Sequence, residues 1–328
     1  MSEFALIDAI HARCRTQRHD VVTGIGDDAA VLACPEGRRL VACTDTLVDG
    51  VHFPRGTAAE DIGWKSLAVN LSDLAAMGAD PAWALLALTL PAADMEFVER
   101  FTGGFAELAR QHGVDLVGGD LTQGPLSITV TALGFVTPGT ALTRAGARAG
   151  DAVFVTGTLG DAAAGLHWLR NHAVSTGARG TTITADAPAA LLQRLRRPTP
   201  RLVAGRALGG IASACIDLSD GLLADLGHVA DASGVGIEVD AAALPASPAL
   251  RVHCNDEERL SCQASGGDDY ELAFTVPPDR IDAVVSKLID VGCAATRIGR
   301  VAGNSGVRLC DAAGGTIEPP SRGWEHFR

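Results

Sequence analysis

The sequence predicts a mixed α/β protein built as two domains. Three features predict it: 328 residues with 47% hydrophobic content, strand-like and helix-like segments alternating in both halves, and an unpatterned stretch between the halves. That stretch, 137–150 (TPGTALTRAGARAG), is rich in glycine and small residues and runs into a new apolar strand, AVFVTG. The expected division is an N-terminal α/β domain over 1–137, a linker over 138–150 and a C-terminal α/β domain over 151–328.

The N-terminus, MSEFALIDAIHARC, scatters acids and arginines and has no continuous apolar stretch before a small-residue cleavage site, so no export signal is expected. Segments 40–44 (LVACT), 114–117 (VDLV) and 126–136 (LSITVTALGFV) read as strands, the last with period-two alternation. A helix is expected from Thr57, where Thr57 and Glu60 form a capping-box pattern; Leu67, Leu71 and Leu74 follow at helical spacing, and Gly78 ahead of Pro81 stops it. A second helix from Asp94 would carry Phe97, Phe101, Phe105 and Leu108 inward, with Gly103-Gly104 as its weak point. In the second half, helices are expected at 160–170, 200–209, 220–232 and 279–290, and strands at 213–217, 235–239, 271–276 and 295–301. Residues 171–187 are polar, small and unpatterned, which predicts a mobile surface loop. GIGDDAAV at 24–31 echoes GGDDYEL at 266–272 without a fixed period, so the echo suggests related sites and not a repeat fold.

Composition excludes several functions. A formal charge of -12 argues against a nucleic-acid partner, which requires a basic stripe to displace counterions. The longest apolar run, 82–90, is about half the ~20 residues of a membrane-spanning helix, and no membrane role is expected. Eight dispersed cysteines without a CxxC pair read as reduced thiols of a cytoplasmic protein. The only lysines are Lys65 and Lys287, and neither completes a GxxxxGK[ST] loop or a protein-kinase lysine arrangement. Any nucleotide phosphates would have to be neutralised by metals and backbone amides.

Aspartates recur directly after short apolar strands or glycine turns: Asp27 and Asp28 in GIGDD, Asp45 in ACTDT, Asp120 in VGGD, and Asp217 and Asp220 in CIDLSDG. Loops beyond strand ends are where such groups converge in layered α/β proteins. Asp73 lies on a helical segment among leucines and needs a partner there. Taken singly, each motif reads blandly: GDD and Gly118-Gly119-Asp120 as turns, 217–221 as a helix cap, His52 as a core histidine, Arg144 as a surface arginine. Their number alters the weighting. Several carboxylates in one site repel unless cations intervene, and hard oxygen donors favour Mg²⁺ or Mn²⁺, the ions that neutralise phosphates during phosphoryl transfer.

Together the strings GIGDDAAV, TDTLVDGVHF, SLAVNLSDLAAMGADP, LVGGDLTQGPLSITVTALG, LTRAGARAGD, VFVTGTLGDAAAGL, IDLSDGLLADLGHVADASG and SGGDDYELAF resemble the thiamine-monophosphate kinase family. The resemblance runs from about Glu3 to the terminal GWEHF and is weakest at 171–187 and 250–262. It implies the fold of aminoimidazole ribonucleotide synthetase and a homodimer in which the N-terminal sheet pairs with its mate. It also implies ATP bound in a cleft where the domains meet, with several Mg²⁺ ions. The implied activity is phosphorylation of thiamine monophosphate to thiamine diphosphate by direct in-line transfer, the last step of thiamine diphosphate biosynthesis.

Residue by residue, metal-ligand positions fall on Asp28, Thr44, Asp45, Asp73, Asp120, Asp217 and Asp220; ATP contacts on Gly119, Asp120, Arg144 and Ser219; and substrate contacts on His52, Asp268 and Trp324. Asp45, Asp120 and Arg144 are the implied catalytic set. The chain departs from the family at Cys43, where serine or threonine is frequent, which leaves only a backbone carbonyl as ligand, and at Asp268, where glutamate is usual and Asp269 is adjacent. Trp324 offers a π-face to a heterocycle or to the cationic thiazolium. Two relatives of the same fold are disfavoured. Cys14 lacks the neighbouring lysine of a selenophosphate synthetase, and the terminal WEHFR lacks the final cysteine of the hydrogenase-maturation proteins.

Overall fold

The computed structural model describes residues 2–172, 174–175, 181–182, 188–319, 321 and 323–325. Most of the expected loop 171–187 lies outside them. The chain divides into two compact units, the first holding 1–74 and 79–138 with 174–182, and the second 75–78, 139–173 and 183–328.

The first unit begins with α1 (Glu3–Arg13) and a short hairpin, β1 (Val21–Thr23) and β2 (Val31–Leu32). A four-stranded sheet follows, with β3 (Arg39–Val48), α2 (Ala59–Ala76), β4 (Asp80–Leu90), α3 (Met95–His112), β5 (Asp115–Gln123) and β6 (Ser127–Val136) in chain order. Its spatial order is β3-β6-β4-β5, antiparallel except for β4 and β5, the parallel pair joined through α3.

β4 is the element that sequence periodicity failed to separate. Ala82, Trp83 and Ala84 are all buried in succession, so the strand reads as an apolar run without alternation. The expected capping box at the start of α2 is engaged otherwise: the Thr57 hydroxyl donates to the Pro54 carbonyl (2.6 Å) and Glu60 receives Arg100 (2.9 Å). α3 matches expectation more closely. The Asp94 carboxylate accepts from Phe97 N–H and Gly113 ends the helix in the left-handed conformation. Phe101, Phe105 and Leu108 are fully buried.

The second unit contains β7 (Ala152–Thr156) and α4 (Asp161–His172). Next come β8 (Val174–Ser175) and β9 (Thr181–Thr182), a short pair grouped with the first unit. Then follow α5 (Ala189–Arg196), α6 (Leu202–Leu208), β10 (Ala214–Asp217), α7 (Leu222–Ser233), β11 (Gly236–Asp240), α8 (Pro248–His253) and α9 (Asp256–Ser265). β12 (Leu272–Val276), α10 (Ile281–Asp290), β13 (Ala295–Ala302), β14 (Gly306–Cys310) and β15 (Thr316–Ile317) complete it. The sheet order is β10-β12-β7-β13-β11-β14-β15, antiparallel except for β11 and β14. Its core joins Val153, Val155, Ile216, Leu222, Leu226 and Val239.

The glycine pair in α3 is not a weakness shared equally. A Cβ on Gly104 would sit 1.8 Å from the Glu60 carbonyl oxygen of α2, and one on Gly63 of α2 would sit 1.9 Å from the Phe101 carbonyl, whereas a Cβ on Gly103 meets nothing within 4 Å. Adjacent substitutions should therefore have opposite signs. Gly103→Ala should raise the unfolding free energy by up to ~1 kcal/mol through helix propensity. Gly104→Ala should lower it by about 1–3 kcal/mol or more through overpacking against α2. Urea denaturation of both variants checks this, and a gain in both would mean that the two helices yield at no cost.

Candidate functional site

The carboxylates of the first unit fall into separate places. Asp45 lies on β3 with Cys43 two residues before it, so both project to the same face of the sheet. The Cys43 thiol donates to the Asn70 carbonyl of α2 (3.3 Å), and Asp73 is one helical turn beyond Asn70. Burial pushes that thiol far up, and the Asp73 and Asp45 charges push it the same way. Asp45 and Asp73 thus share one neighbourhood around a thiol held neutral.

Thr44 faces the other way. Its hydroxyl donates to the Val130 carbonyl of β6 (3.1 Å) and is 3.0 Å from the Thr131 hydroxyl. Asp120 is more distant still. It stands on β5 beside Ala87 of β4, on the far side of the sheet from β3 with β4 and β6 between. Three strand spacings separate β5 from β3, about 14 Å. The sheet itself therefore does not bring Asp120 to Asp45. Asp28 is exposed in the loop between β1 and β2, its N–H donating to the Asp27 carboxylate (2.8 Å). Gly119 has a local structural reason, since a Cβ there would lie 1.8 Å from the Leu86 carbonyl oxygen of β4.

His52 sits in the turn after β3. Its Nδ1 accepts the Val48 backbone N–H (3.0 Å), so a neutral ring carries its proton on Nε2. The buried Lys65 donates to the His52 carbonyl (3.1 Å), which fixes the turn from below.

In the second unit the expected residues do converge. The β10–β12 pairing ends at Asp217 opposite Leu272, and the backbone continues it: Leu218 N–H to Glu271 O (2.9 Å), Tyr270 N–H to Leu218 O (2.8 Å), Asp268 N–H to Ser219 O (2.9 Å). Trp324 N–H donates to Asp220 O (2.9 Å), which brings the C-terminal segment to the same loop. Asp217, Ser219, Asp220, Asp268 and Trp324 therefore sit on three segments, of which the first is bonded to each of the other two. Trp324 keeps 51% of its surface exposed there, an uncovered aromatic face. Arg144 is placed apart from them. Its carbonyl accepts from Ser233, at the opposite end of α7 from Asp220.

Sequence reading missed three acids that build this loop. Asp225, in the first turns of α7, accepts the N–H groups of Asp220 (3.1 Å) and Gly221 (3.0 Å). Burial, then the Asp217 and Asp220 charges, hold its carboxyl well above the ordinary range. Asp220, Asp225 and His228 offer ligand atoms all within 4.8 Å of one another, and the spacing D-x4-D-x2-H could have signalled it. Glu271 has no exposed surface and meets Arg194 (2.8 Å), Arg201 and the Thr156 hydroxyl (2.6 Å).

Asp269 is the third. Both its oxygens accept Gly160 N–H (2.9 and 3.0 Å), so it is committed to the interior and does not stand in for the shorter side chain of Asp268. Asp268 (φ 70°) and Tyr270 (φ 50°) flank it in left-handed backbone, and the Tyr270 hydroxyl donates to the Asp268 carboxylate (3.1 Å). Two non-glycine residues in that region within one motif store strain, which marks functional loops.

The donor set suits a hard cation. Carboxylate oxygens dominate it, His228 is the one nitrogen donor beside them among the described residues, and the Cys43 thiol is neutral and of the wrong softness.

Burial holds the Asp269 carboxyl well above the ordinary range, against the pull of Gly160 N–H and Arg194. The native state then keeps a proton that the unfolded chain has already lost, so stability falls as pH rises above about 4. Asp269→Asn carries no such titration and should gain stability relative to wild type between about pH 4 and neutrality. Urea unfolding at a series of pH values measures it; a constant difference between the two proteins would contradict the assignment.

Residues 26–136 match the family model for the AIR synthase related protein, N-terminal domain, and residues 148–311 that for the C-terminal domain. Over 326 residues the chain is 46% identical to the thiamine-monophosphate kinase of Salmonella typhimurium, covering 99% of this chain and 98% of that protein. Among solved structures, thiamine-monophosphate kinase from Stenotrophomonas maltophilia K279a is 49% identical with a TM-score of 0.86, covering 97% of this chain and 98% of that one. AaThiL complexed with AMPPCP and TMP is 36% identical with a TM-score of 0.77, covering 99% and 97% respectively.

Proposed function

Because the chain belongs to the AIR synthase related family and, within it, to the thiamine-monophosphate kinases, we propose a residue-level account of how it phosphorylates thiamine monophosphate with ATP. The observation that carries the account is the bonding of the 266–271 and 323–324 segments to the 217–221 loop beside an exposed tryptophan. It is supported by the relative complexed with AMPPCP and TMP. The reaction transfers the γ-phosphoryl group directly to a phosphate oxygen of the acceptor. That oxygen is already anionic, so a strong general base is unnecessary, and the main barrier is repulsion between two polyanions.

Asp28, Asp45, Asp73, Asp120, Asp217 and Asp220, with the Thr44 backbone carbonyl, would hold Mg²⁺, which supplies charge neutralisation at the phosphates. Gly119 and Ser219 present backbone to the nucleotide, and Arg144 reaches its phosphates as a bidentate donor. His52 donates from Nε2 to the acceptor phosphate. Asp268 takes the polar edge of the substrate, oriented by the Tyr270 hydroxyl, and Trp324 stacks on the cationic ring. Residues 1–137 and 151–328 act as the two domains, joined by 138–150.

The working form is a homodimer that covers the open face of the first sheet, where Leu40 and Leu85 are exposed beside Thr44 and Thr46. In it, Asp120 of one copy serves the site containing Asp45 of the other, which is why one sheet keeps them apart. The chain works in the cytoplasm; no described helix is long and apolar enough to cross a membrane.

Purified protein with ATP, Mg²⁺ and thiamine monophosphate should yield ADP and thiamine diphosphate in equal amounts on chromatography; no product would refute the reading. Asp45→Asn and Asp120→Asn should each abolish most turnover while leaving the fold intact. Mixing the two variants under subunit exchange should restore about one quarter of wild-type activity, since half the dimers are mixed and each has one intact site. Absence of restoration would place both aspartates in the same subunit's site. His52→Ala should raise KM for thiamine monophosphate more than it lowers kcat, and an unchanged KM would remove it from acceptor positioning.

A further inference from the structure

A second concentration of charge, of opposite sign, lies on the first unit. α1 and α3 both end beside β5, and a cavity of about 330 Å³ opens there, lined by Arg13, Arg15, Arg18 and Arg110 over an apolar floor of Ala12, Ala109 and Val114. Helix C-termini attract cations, and one arginine meets that demand: Arg18 donates to the Gly113 carbonyl (3.0 Å) and pairs with Asp20 (2.6 Å). Arg13, Arg15 and Arg110 have no carboxylate partner among the described residues.

The acids in reach are already engaged. The Asp115 carboxylate accepts the backbone N–H groups of Gln17 (2.8 Å) and Arg18 (2.7 Å), and Asp20 accepts from Arg18 and from Trp83 Nε1 (3.1 Å). Between the arginines lies Cys14, whose thiol burial pushes up to about 11 while Arg110 and Arg13 pull it down. Those two guanidinium groups therefore bear on the same point. In a protein of net charge -12, three guanidinium groups without an ion-pair partner around one hollow, facing the single Asp115 carboxylate, are a local inversion of sign. Such a concentration of positive charge draws anions to the hollow.

We propose that this cavity binds a small organic phosphate. Arg13, Arg15 and Arg110 hold the phosphoryl oxygens, and Ala12, Ala109 and Val114 receive the carbon skeleton. Guanidinium groups suit a phosphate because their paired N–H donors match its oxygens, and an apolar floor favours an ester over the bare ion. The site is separate from the residues assigned above. β5 begins at the cavity with Asp115 and reaches Asp120 five residues later, about 17 Å along the strand.

The test uses the full chain freed of divalent ions with EDTA, so that metal-dependent nucleotide binding does not contribute. Calorimetric titrations with phenyl phosphate and with inorganic phosphate are run on the wild type and on Arg13→Ala/Arg110→Ala. Wild type should bind phenyl phosphate more tightly than inorganic phosphate. The double variant should lose at least about tenfold in affinity, with its circular dichroism and its turnover of ATP and thiamine monophosphate unchanged. No binding by the wild type, or equal binding by the double variant, overturns the proposal, and equal affinity for the two probes overturns its organic half. None of these outcomes bears on the kinase reading, which the turnover assay addresses by itself.

Discussion

The loop cluster of the second unit depends on one buried carboxylate. Glu271 is closed off from solvent and gathers Arg194, Arg201 and the Thr156 hydroxyl. Its own carbonyl receives Leu218 N–H, so the ion cluster and the loop carrying Ser219 and Asp220 are tied at one residue. Gly157 yields room for it: a Cβ there would lie 2.2 Å from a Glu271 carboxylate oxygen. Removing one member of such a cluster strands the others, at a cost of about 3–5 kcal/mol. Replacing the whole cluster by apolar side chains could be neutral for stability, which points to geometry as the reason for the charges. Two left-handed residues, Asp268 and Tyr270, persist immediately before Glu271 because that anchor and Asp269 fix the chain on either side of Tyr270.

The carboxylates of the first unit obey a different constraint, the alternation of a strand. Thr44 and Asp45 are neighbours in sequence and project to opposite faces, so a side-chain ligand set that includes both cannot close around one ion. Cys43, on the Asp45 side, contributes neither charge nor hard oxygen while burial and two carboxylates keep its thiol protonated. The close pair there is Asp45 with Asp73, one from strand and one from helix. Asp120 lies at the other edge of the sheet, where the strand order puts β5, and a bulge that skips one residue between Leu116 and Gly118 sets the face it takes.

These two constraints explain what the sequence could and could not tell. Strands with one solvated face, such as β6, and helices with clear caps, such as α3, were readable because their periods differ. β4 was not, since its exposed positions carry Leu85 and Ala87, as apolar as the buried residues between them, and α8 and α9 lay in a segment without strong apolar periodicity. For the site, strand-end aspartates announced themselves through short motifs, whereas Asp225, Asp269 and Glu271 act on backbone or arginines from inside. Nothing local distinguishes a carboxylate that points inward from one that points to a ligand. Asp268 and Asp269 illustrate the limit: identical residues in adjacent positions, one half-buried against the Tyr270 hydroxyl and the other closed over Gly160. The partition goes with left-handed backbone on both sides of Asp269, which aspartate tolerates at 268 but which nothing in the sequence predicts for a bulky Tyr270.

Charge sign settles how such a chain can handle phosphates. Of its two lysines, Lys65 is buried with 2% exposure and its ammonium group reaches the His52 carbonyl, a task of shape that removes it from direct phosphate binding. Arg194 and Arg201 are spent on Glu271, and Arg18 on Asp20. What the described carboxylate loops retain is negative charge, which by itself repels every phosphate. On the proposed reading, Arg144 supplies part of the countercharge and a divalent ion from solution the rest, so affinity for a phosphate substrate would be conditional on that ion. A site built from lysines would hold phosphates at all times; one built mainly from aspartates would hold them well only once the metal has bound, which would link metal uptake to substrate uptake through the sign of the residues.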